Sequence, residues 1–210
     1  MPKSTADIVI VAGEASGDFL AAHLIQSLRL RYPHLRIAGI AGPLMAQAGC
    51  DTWIPQEKLA VRGYVEVLRH LPELLRIRRS VCERVLHERP SLFIGVDAPD
   101  FNLPLEAKLK AQGIRTVHYV SPSLWAWRPE RIQKIRDAAD LILLLFPFES
   151  DLYRNANIPH AVIGHPVSNR FMFMGLMLSL VLCRVFVINR MHSYMQRRMC
   201  GLQRGMLQLR

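Results

Sequence analysis

Short apolar runs rich in β-branched residues alternate with segments of helical periodicity along the first three quarters of the chain. The runs lie at residues 7–12, 36–40, 91–96, 116–120, 141–145 and 161–163. Between them, apolar residues recur at helical spacing in residues 20–28, 44–48, 65–89, 103–112, 129–138 and 148–155. Strands that alternate with helices predict right-handed crossovers and a parallel sheet with helices on both faces. We therefore expect an α/β, Rossmann-like fold.

The positive charge of the chain is concentrated toward its carboxyl terminus. The 210 residues carry 27 Lys and Arg against 17 Asp and Glu, a formal net charge of +10 that would suit a nucleic-acid-binding protein. The last acidic residue, however, is Asp151, and the 59 residues after it hold eight arginines and no lysine. Because residues 1–151 are close to neutral, we expect no nucleic-acid partner.

The four cysteines, Cys50, Cys82, Cys183 and Cys200, form no CxxC pair and no Cys/His cluster with zinc spacing. This usage favours free thiols in a reducing compartment and indicates no zinc site. We also expect no metal and no cofactor. The apolar run at residues 8–12 is too short for a signal peptide, so we expect a cytoplasmic protein.

Ligands of open parallel sheets bind in the crevice beyond the carboxyl ends of the strands. Three unusual segments fall there: residues 13–18, 97–102 and 121–128. These segments therefore supply the candidate site residues.

The first segment, Gly13-Glu14-Ala15-Ser16-Gly17-Asp18, is neither GxGxxG nor the phosphate loop GxxxxGK[ST]. Its two carboxylates would repel a diphosphate, so the loop suits a neutral, hydroxyl-rich group such as a sugar. We predict substrate contacts from Gly13, Glu14, Ser16, Gly17 and Asp18. The alternative is that Ser16 caps the first helix and Asp18 lies in its first turn.

In the second segment, Asp97 directly follows the apolar run at residues 92–96. A carboxylate at the end of a strand, beside a cleft, is placed to act as a general base. The alternative is an acid that accepts hydrogen bonds from loop N–H groups. Asp100 and Asn102 are candidate substrate contacts, although both could merely begin the next helix.

The third segment combines hydroxyls with a pair of tryptophans. Ser121, Ser123, Trp125 and Trp127 are candidate substrate contacts, because aromatic rings at a strand exit can line a face for sugar C–H groups or acyl chains. The alternative is that one tryptophan belongs to the core. His118 lies inside a strand pattern and is interpreted as a core residue.

Six motifs together resemble the lipid-A-disaccharide synthase family, in that family's order and spacing. They are VAGEASGD (11–18), GIAGPLM (39–45), GVDAPDFN (95–102), HYVSPSLWAWRPERI (118–132), LFPFE (145–149) and IGHP (163–166). The resemblance covers residues 7 to about 168.

The resemblance implies a two-domain GT-B glycosyltransferase. Such an enzyme transfers 2,3-diacylglucosamine from its UDP derivative to 2,3-diacylglucosamine 1-phosphate, giving a β-1,6-linked lipid A disaccharide phosphate and UDP. It also implies inversion at the anomeric centre, no GT-A-type metal site, and work at the inner face of the bacterial inner membrane. The family's proposed catalytic base falls on Asp97, and the loop with Glu14, Ser16 and Asp18 lines the interdomain cleft.

The resemblance ends after residue 168. Residues 1–168 are expected to form the acceptor-side domain, and residues 169–210 a tail that is not similar to the family's second domain. Residues 171–183 are uncharged, which suits a membrane helix or a segment packed on the domain. The excess of methionine and the absence of Asp, Glu and Lys favour out-of-frame translation instead. We expect such a chain, alone, to turn over the substrates poorly or not at all.

Two functions of other classes stay open at this point. One is a Rossmann-like binding module without catalysis, and the other is a small membrane-associated lipid-binding protein. The sequence does not indicate an oligomeric state.

Overall fold

A computed structural model of the chain describes residues 5–59, 64–122 and 131–166. Its strands are β1 (Ile8–Ala12), β2 (Ile37–Ala41), β3 (Asp51–Pro55), β4 (Leu92–Val96), β5 (Thr116–Tyr119), β6 (Leu141–Leu144) and β7 (His160–Val162). Its helices are α1 (Ala15–Arg31), α2 (Pro43–Gln47), α3 (Tyr64–Glu88), α4 (Pro99–Ala111), α5 (Arg131–Ala138) and α6 (Ser150–Asn155). Two 3-10 turns lie at Gln56–Lys58 and Pro147–Glu149. The tail predicted for residues 169–210 lies outside the described residues.

The strands form one parallel sheet in the order β3-β2-β1-β4-β5-β6-β7. From β1 the chain moves outward to β2 and β3, and it then returns to the other side of β1 to begin β4. The order of strands therefore reverses between β1 and β4, which pair in register from Ile8 with Leu92 to Ala12 with Val96. A crevice forms at such a switch point, because the two loops that leave the neighbouring strands turn to opposite faces.

Helices cover both faces of the sheet, as predicted. Ile8 and Ile10 of β1 pack in the same core cluster as α1, whereas Val9 and Val11 pack with α3 and α4 on the opposite face. Every residue of β1, β2, β4, β5 and β6 is buried. Burial on both faces explains why β1, β2, β4 and β6 are continuous apolar runs in the sequence, whereas β5 also contains the buried polar residues Thr116 and His118.

The strand β3 was not predicted. Asp51–Pro55 is largely exposed at the edge of the sheet, and its sequence, DTWIP, is too polar to resemble the buried strands. Its pairing depends on tertiary contacts, because Trp53 and Ile54 pack on the core beside β2.

The helix α4 begins at Pro99, four residues before the predicted start. Proline is favourable in a first helical turn because the N–H groups of that turn have no acceptor within the helix, so the N–H that proline lacks costs no hydrogen bond. At the other end, Gly113 has a φ of +77°, which confirms the predicted end of this helix. The early start places Asp100 and Asn102 on the helix rather than in a loop.

The helix α3 spans 25 residues and contains Pro72. It buries Val81 and Val85 against the sheet and leaves Leu71 and Leu75 exposed. In the described ranges, no helix combines the length and the apolarity that crossing a membrane requires.

Candidate active site

The loops that follow β1 and β4 touch each other at the switch point. A Cβ atom added at Gly13 would lie 2.9 Å from the Cβ of Ala98, and one added at Gly17 would lie 3.3 Å from the carbonyl oxygen of Val96. A side chain at Gly13 would clash with Ala98, and one at Gly17 would fit only tightly, because the loop after β1 and the first turn of α1 lie directly against the end of β4 and the residues that follow it. The two predicted glycines therefore bring the segments 13–18 and 97–102 together.

Asp97 occupies the centre of this contact. Its backbone N–H donates to the carbonyl oxygen of Tyr119 in β5 at 2.9 Å, and its side chain is only partly exposed. Asp97 and the next residue, Ala98, have φ angles of +54° and +44°. Left-handed conformations at non-glycine residues cost on the order of 1–3 kcal/mol each and are concentrated at functional sites.

Ser16 joins the first loop to Asp97. Its hydroxyl donates to Asp97 Oδ2 at 3.4 Å. Ser16 is the second residue of α1, and the capping position belongs to Glu14, whose side chain makes no capping hydrogen bond. The alternative interpretation of Ser16 as the helix cap is therefore wrong. Glu14 and Ser16 are both exposed at the rim of the crevice.

Asp18 has a different role from the predicted substrate contact. It is 2% exposed, and its Oδ1 accepts the N–H groups of Gly42 and Met45 at 3.0 Å. Its Oδ2 accepts the N–H of Leu44 at 2.9 Å. These three donors begin α2, so the carboxylate ties α1 to α2 and satisfies a helix amino terminus. This is a correction to the sequence prediction, because the buried side chain presents no free oxygen to a ligand.

Asn102 is a second correction. It is fully buried, and its Nδ2 donates to the carbonyl oxygen of Asp97 at 2.8 Å. Its side chain holds the backbone at the end of β4 from the protein interior, and it does not reach the crevice where a substrate would bind. Asp100 lies exposed in the first turn of α4, as the alternative interpretation of both residues expected.

A second polar cluster lies at the carboxyl ends of β5 and β6. The Ser121 hydroxyl is 2.7 Å from the Tyr153 hydroxyl, and Tyr153 is fully buried. Glu149, which is 8% exposed, contacts Ser121 and accepts the N–H of Phe146 at 3.2 Å. Burial raises the pKa of Glu149, against the effect of these two hydrogen bonds, and raises the pKa of Tyr153 to about 12.

Sequence reasoning selected Ser121 but missed Glu149 and Tyr153. The signal for Glu149 was its position in LFPFE, directly after a buried strand. Val120, just before Ser121, has a φ of +82°, so the exit of β5 is strained like that of β4. Ser123, Trp125 and Trp127 lie outside the described residues.

A buried polar pair lies below the exit of β4. His118 and Glu106 are both fully buried, and His118 Nδ1 lies 2.8 Å from Glu106 Oε1. Burial raises the pKa of Glu106, and the neighbouring His118 opposes this effect. The interpretation of His118 as a core residue is confirmed.

The rim at the switch point thus presents a partly exposed carboxylate, a hydroxyl and a second carboxylate. In residues 5–59, 64–122 and 131–166, no group of three His, Cys, Asp or Glu side chains is placed to hold a metal ion. Such a rim can accept hydrogen bonds from the alcohols of a neutral sugar and can remove a proton from one of them.

The fold is similar to that of a solved UDP-GlcNAc 2-epimerase from Neisseria meningitidis bound to UDP-GlcNAc. The TM-score is 0.53 at 12% sequence identity, and the match covers 91% of this chain and 52% of the epimerase chain. At this identity the likeness concerns the fold alone. Together with the order of the strands, it confirms the predicted Rossmann-like parallel sheet.

Comparison with proteins of similar sequence identifies a family, which the similarity of fold does not. Proteins named lipid-A-disaccharide synthase are 59% identical over 167 residues in Chromobacterium violaceum and 57% identical over 162 residues in Methylobacillus flagellatus. These matches cover 80% and 77% of this chain and 43% of either relative. The chain thus spans about two fifths of the length of these relatives. The model of the family described as lipid-A-disaccharide synthetase matches residues 8–174, most of the chain, and this protein therefore belongs to that family.

Proposed function

We propose that this chain supplies the acceptor side of an inverting glycosyltransferase of lipid A biosynthesis. In this proposal, 2,3-diacylglucosamine passes from its UDP derivative to 2,3-diacylglucosamine 1-phosphate, and Asp97 removes the proton from the attacking 6-hydroxyl. One observation carries the assignment: Asp97 stands at the switch point, partly exposed, with Ser16 3.4 Å from its carboxylate.

The geometry of Asp97 suits a general base. Its backbone is fixed on one side by the N–H bond to Tyr119 and on the other by the Asn102 amide. A fixed carboxylate loses little freedom when an alcohol approaches, and it needs to lie within about 3 Å of the hydroxyl oxygen to accept its proton. Ser16 orients the carboxylate, and Glu14 adds an acceptor for a second sugar hydroxyl.

The acidity of the rim decides which substrate it binds. Glu14 and Asp97 repel a diphosphate, so this rim holds the sugar alcohols of the acceptor. The departing UDP needs cationic groups or unobstructed helix amino termini, and residues 13–18 and 97–102 contain no lysine or arginine. The amino termini of α1 and α4 do lie in these segments, but Glu14 and Asp97 flank them and oppose a diphosphate there. We place the donor's diphosphate on the opposite side of the crevice from these loops.

We also propose that α3 rests on the cytoplasmic face of the inner membrane. Leu71 and Leu75 lie one helical turn apart and are 44% and 45% exposed, and the basic residues Arg76 and Arg79 are exposed beside them. Apolar side chains flanked by arginines suit an anionic lipid surface. Sedimentation with vesicles tests this: the pair Leu71→Ser and Leu75→Ser should lower binding to anionic vesicles, and equal binding would contradict it.

A chimera tests the transferase proposal. Residues 8–166 of this chain replace the matching segment of the Chromobacterium violaceum relative, and the purified product is assayed with both substrates. We expect a disaccharide phosphate and UDP in equal amounts, and no product when either substrate is omitted. A folded chimera that binds the acceptor and forms no disaccharide would contradict the proposal.

A further inference from the structure

Three buried side chains next to the end of β4, on the interior side of Asp97, have hydrogen-bonding atoms without partners. Asn102, Glu106 and His118 are all fully buried. Among the described residues, Asn102 Oδ1, Glu106 Oε2 and His118 Nε2 have no hydrogen-bond partner. The reaction proposed above uses none of these atoms, and buried polar atoms without partners call for an explanation.

The three side chains share one small space over Gly95. Gly95 and His118 are register partners on β4 and β5, and Asn102 and Glu106 lie one turn apart on the same face of α4. A Cβ atom added at Gly95 would overlap Glu106 Oε1 and would lie 2.9 Å from Cβ and Cγ of Asn102. Glycine at this position makes room for the carboxyl group next to the amide.

The position of one proton on the Glu106–His118 pair decides whether the unpartnered atoms of Glu106, His118 and Asn102 can form donor–acceptor pairs. When the Glu106–His118 pair carries no net charge, one proton lies between Nδ1 and Oε1, and the other is on either Nε2 or Oε2. A proton on Nε2 leaves a buried N–H with no acceptor among the described residues, whether His118 is a cation or a neutral ring that accepts a hydrogen bond from Glu106 Oε1. A proton on Oε2 turns Glu106 into a donor, beside an Asn102 oxygen that has none.

We infer that Glu106 is held as the neutral acid and donates from Oε2 to Asn102 Oδ1, so that Glu106 is a positioning residue for Asp97. The bond fixes which end of the Asn102 amide faces the strand exit. Its Nδ2 then donates to the carbonyl oxygen of Asp97 at 2.8 Å and holds the left-handed turn at Asp97 and Ala98.

The charges around the pair are compatible with a neutral Glu106. Lys110, one turn further along α4, is engaged by the carbonyl oxygens of Arg136 and Ala139 and lies 3.5 Å from Asp140. From α3, Arg78 donates to the carbonyl oxygen of Asp100 at 3.4 Å. Both cations are therefore satisfied elsewhere, and burial raises the pKa of Glu106.

Nitrogen NMR of the folded chain at pH 7 tests the protonation state. The His118 signals, assigned by their loss in His118→Asn, should show a hydrogen on Nδ1 and none on Nε2. Hydrogens on both nitrogens would mean an ion pair, and a hydrogen on Nε2 alone would mean that the glutamic acid proton lies on Oε1; either result would overturn the inference.

Two substitutions test the positioning role. Glu106→Gln keeps a carbonyl toward His118 and an N–H donor toward Asn102, so the amide resonances of Asp97 and Ala98 and the His118 signals should stay unchanged, with a Tm within about 2 °C of wild type. Glu106→Leu should shift both amides, and the exposed control Glu83→Leu should shift neither. Equal displacement of these amides in Glu106→Gln and Glu106→Leu would refute the role.

If Glu106→Leu does not fold, the measurements on the wild type and Glu106→Gln still decide the question. The positioning role rests on the proposed function of Asp97, but these spectra need no turnover. An inactive chimera with unprotonated Nε2 would therefore reject the transferase proposal and keep the assignment of the proton.

Discussion

At the scale of single residues, the carboxylate of Asp18 shows how a side chain that attracts attention as a ligand can be structural. It accepts three N–H groups from residues 42–45 and is 2% exposed. The substitution Asp18→Asn replaces one carboxylate oxygen by an NH₂ group. That NH₂ group would face a backbone N–H group instead of accepting its hydrogen bond. We expect urea unfolding to show a loss of about 1–3 kcal/mol. Asp137→Asn, exposed on α5, is the control, and equal stability of both variants would contradict this role.

Glu149 gives a prediction about pH. Burial raises its pKa above the ordinary 4.5, so the folded state binds its proton more tightly than the unfolded state does. The protein therefore loses stability as the pH rises from below 4.5 through the raised folded-state pKa. Glu149→Gln removes this loss, so its Tm relative to wild type should climb over that range.

The control for Glu149 is Glu83→Gln, on the exposed face of α3. Thermal melts in buffers from pH 4 to pH 8 measure both variants. A Tm difference for Glu149→Gln that stays flat, or that falls with rising pH, would show that burial does not govern this carboxyl group.

At the scale of elements, the sequence predicts what depends on local pattern. The buried strands β1, β4 and β6 are continuous apolar runs, and β5 contains apolar residues beside Thr116 and His118. Each of the four was predicted within about one residue of its bounds. The edge strand β3 was missed because only its contacts beside β2 define it. The bond network of Asp18 was missed for the same reason, since its donors lie 24 or more residues along the chain.

The contact of β2 with β1 depends on the absence of a side chain at Gly39. Its φ is +151°, and a Cβ atom there would overlap the carbonyl group of Ile10. Gly39→Ala should cost more than about 3 kcal/mol or prevent folding, because the obstacle is backbone and cannot move aside. Gly113→Ala, at a φ of +77° with nothing within 4 Å, should cost only about 1 kcal/mol in denaturant unfolding. Similar losses for the two variants would contradict the packing account.

At the scale of the whole molecule, the order of the strands creates the site. The reversal between β1 and β4 brings Ser16 to Asp97 across 81 positions of sequence, and alternation of strands and helices was sufficient to predict a common edge. The pattern of apolar and polar residues in the sequence could not show which polar side chains at that edge are buried. Burial of Asp18 and Asn102 depends on where α2 and α4 begin, and these helix starts are tertiary features.

The central claim is that Asp97 removes a proton at this edge, and the most direct measurement is the turnover of the chimera carrying Asp97→Asn. The amide keeps the shape of the side chain but cannot accept the proton at neutral pH. We predict a kcat lower by about 10²–10⁴-fold with KM changed by less than about threefold, because proton transfer occurs only in the transition state. Asp137→Asn, exposed on α5, should stay within about twofold of the parent kcat. An Asp97→Asn chimera with the parent kcat would contradict the account.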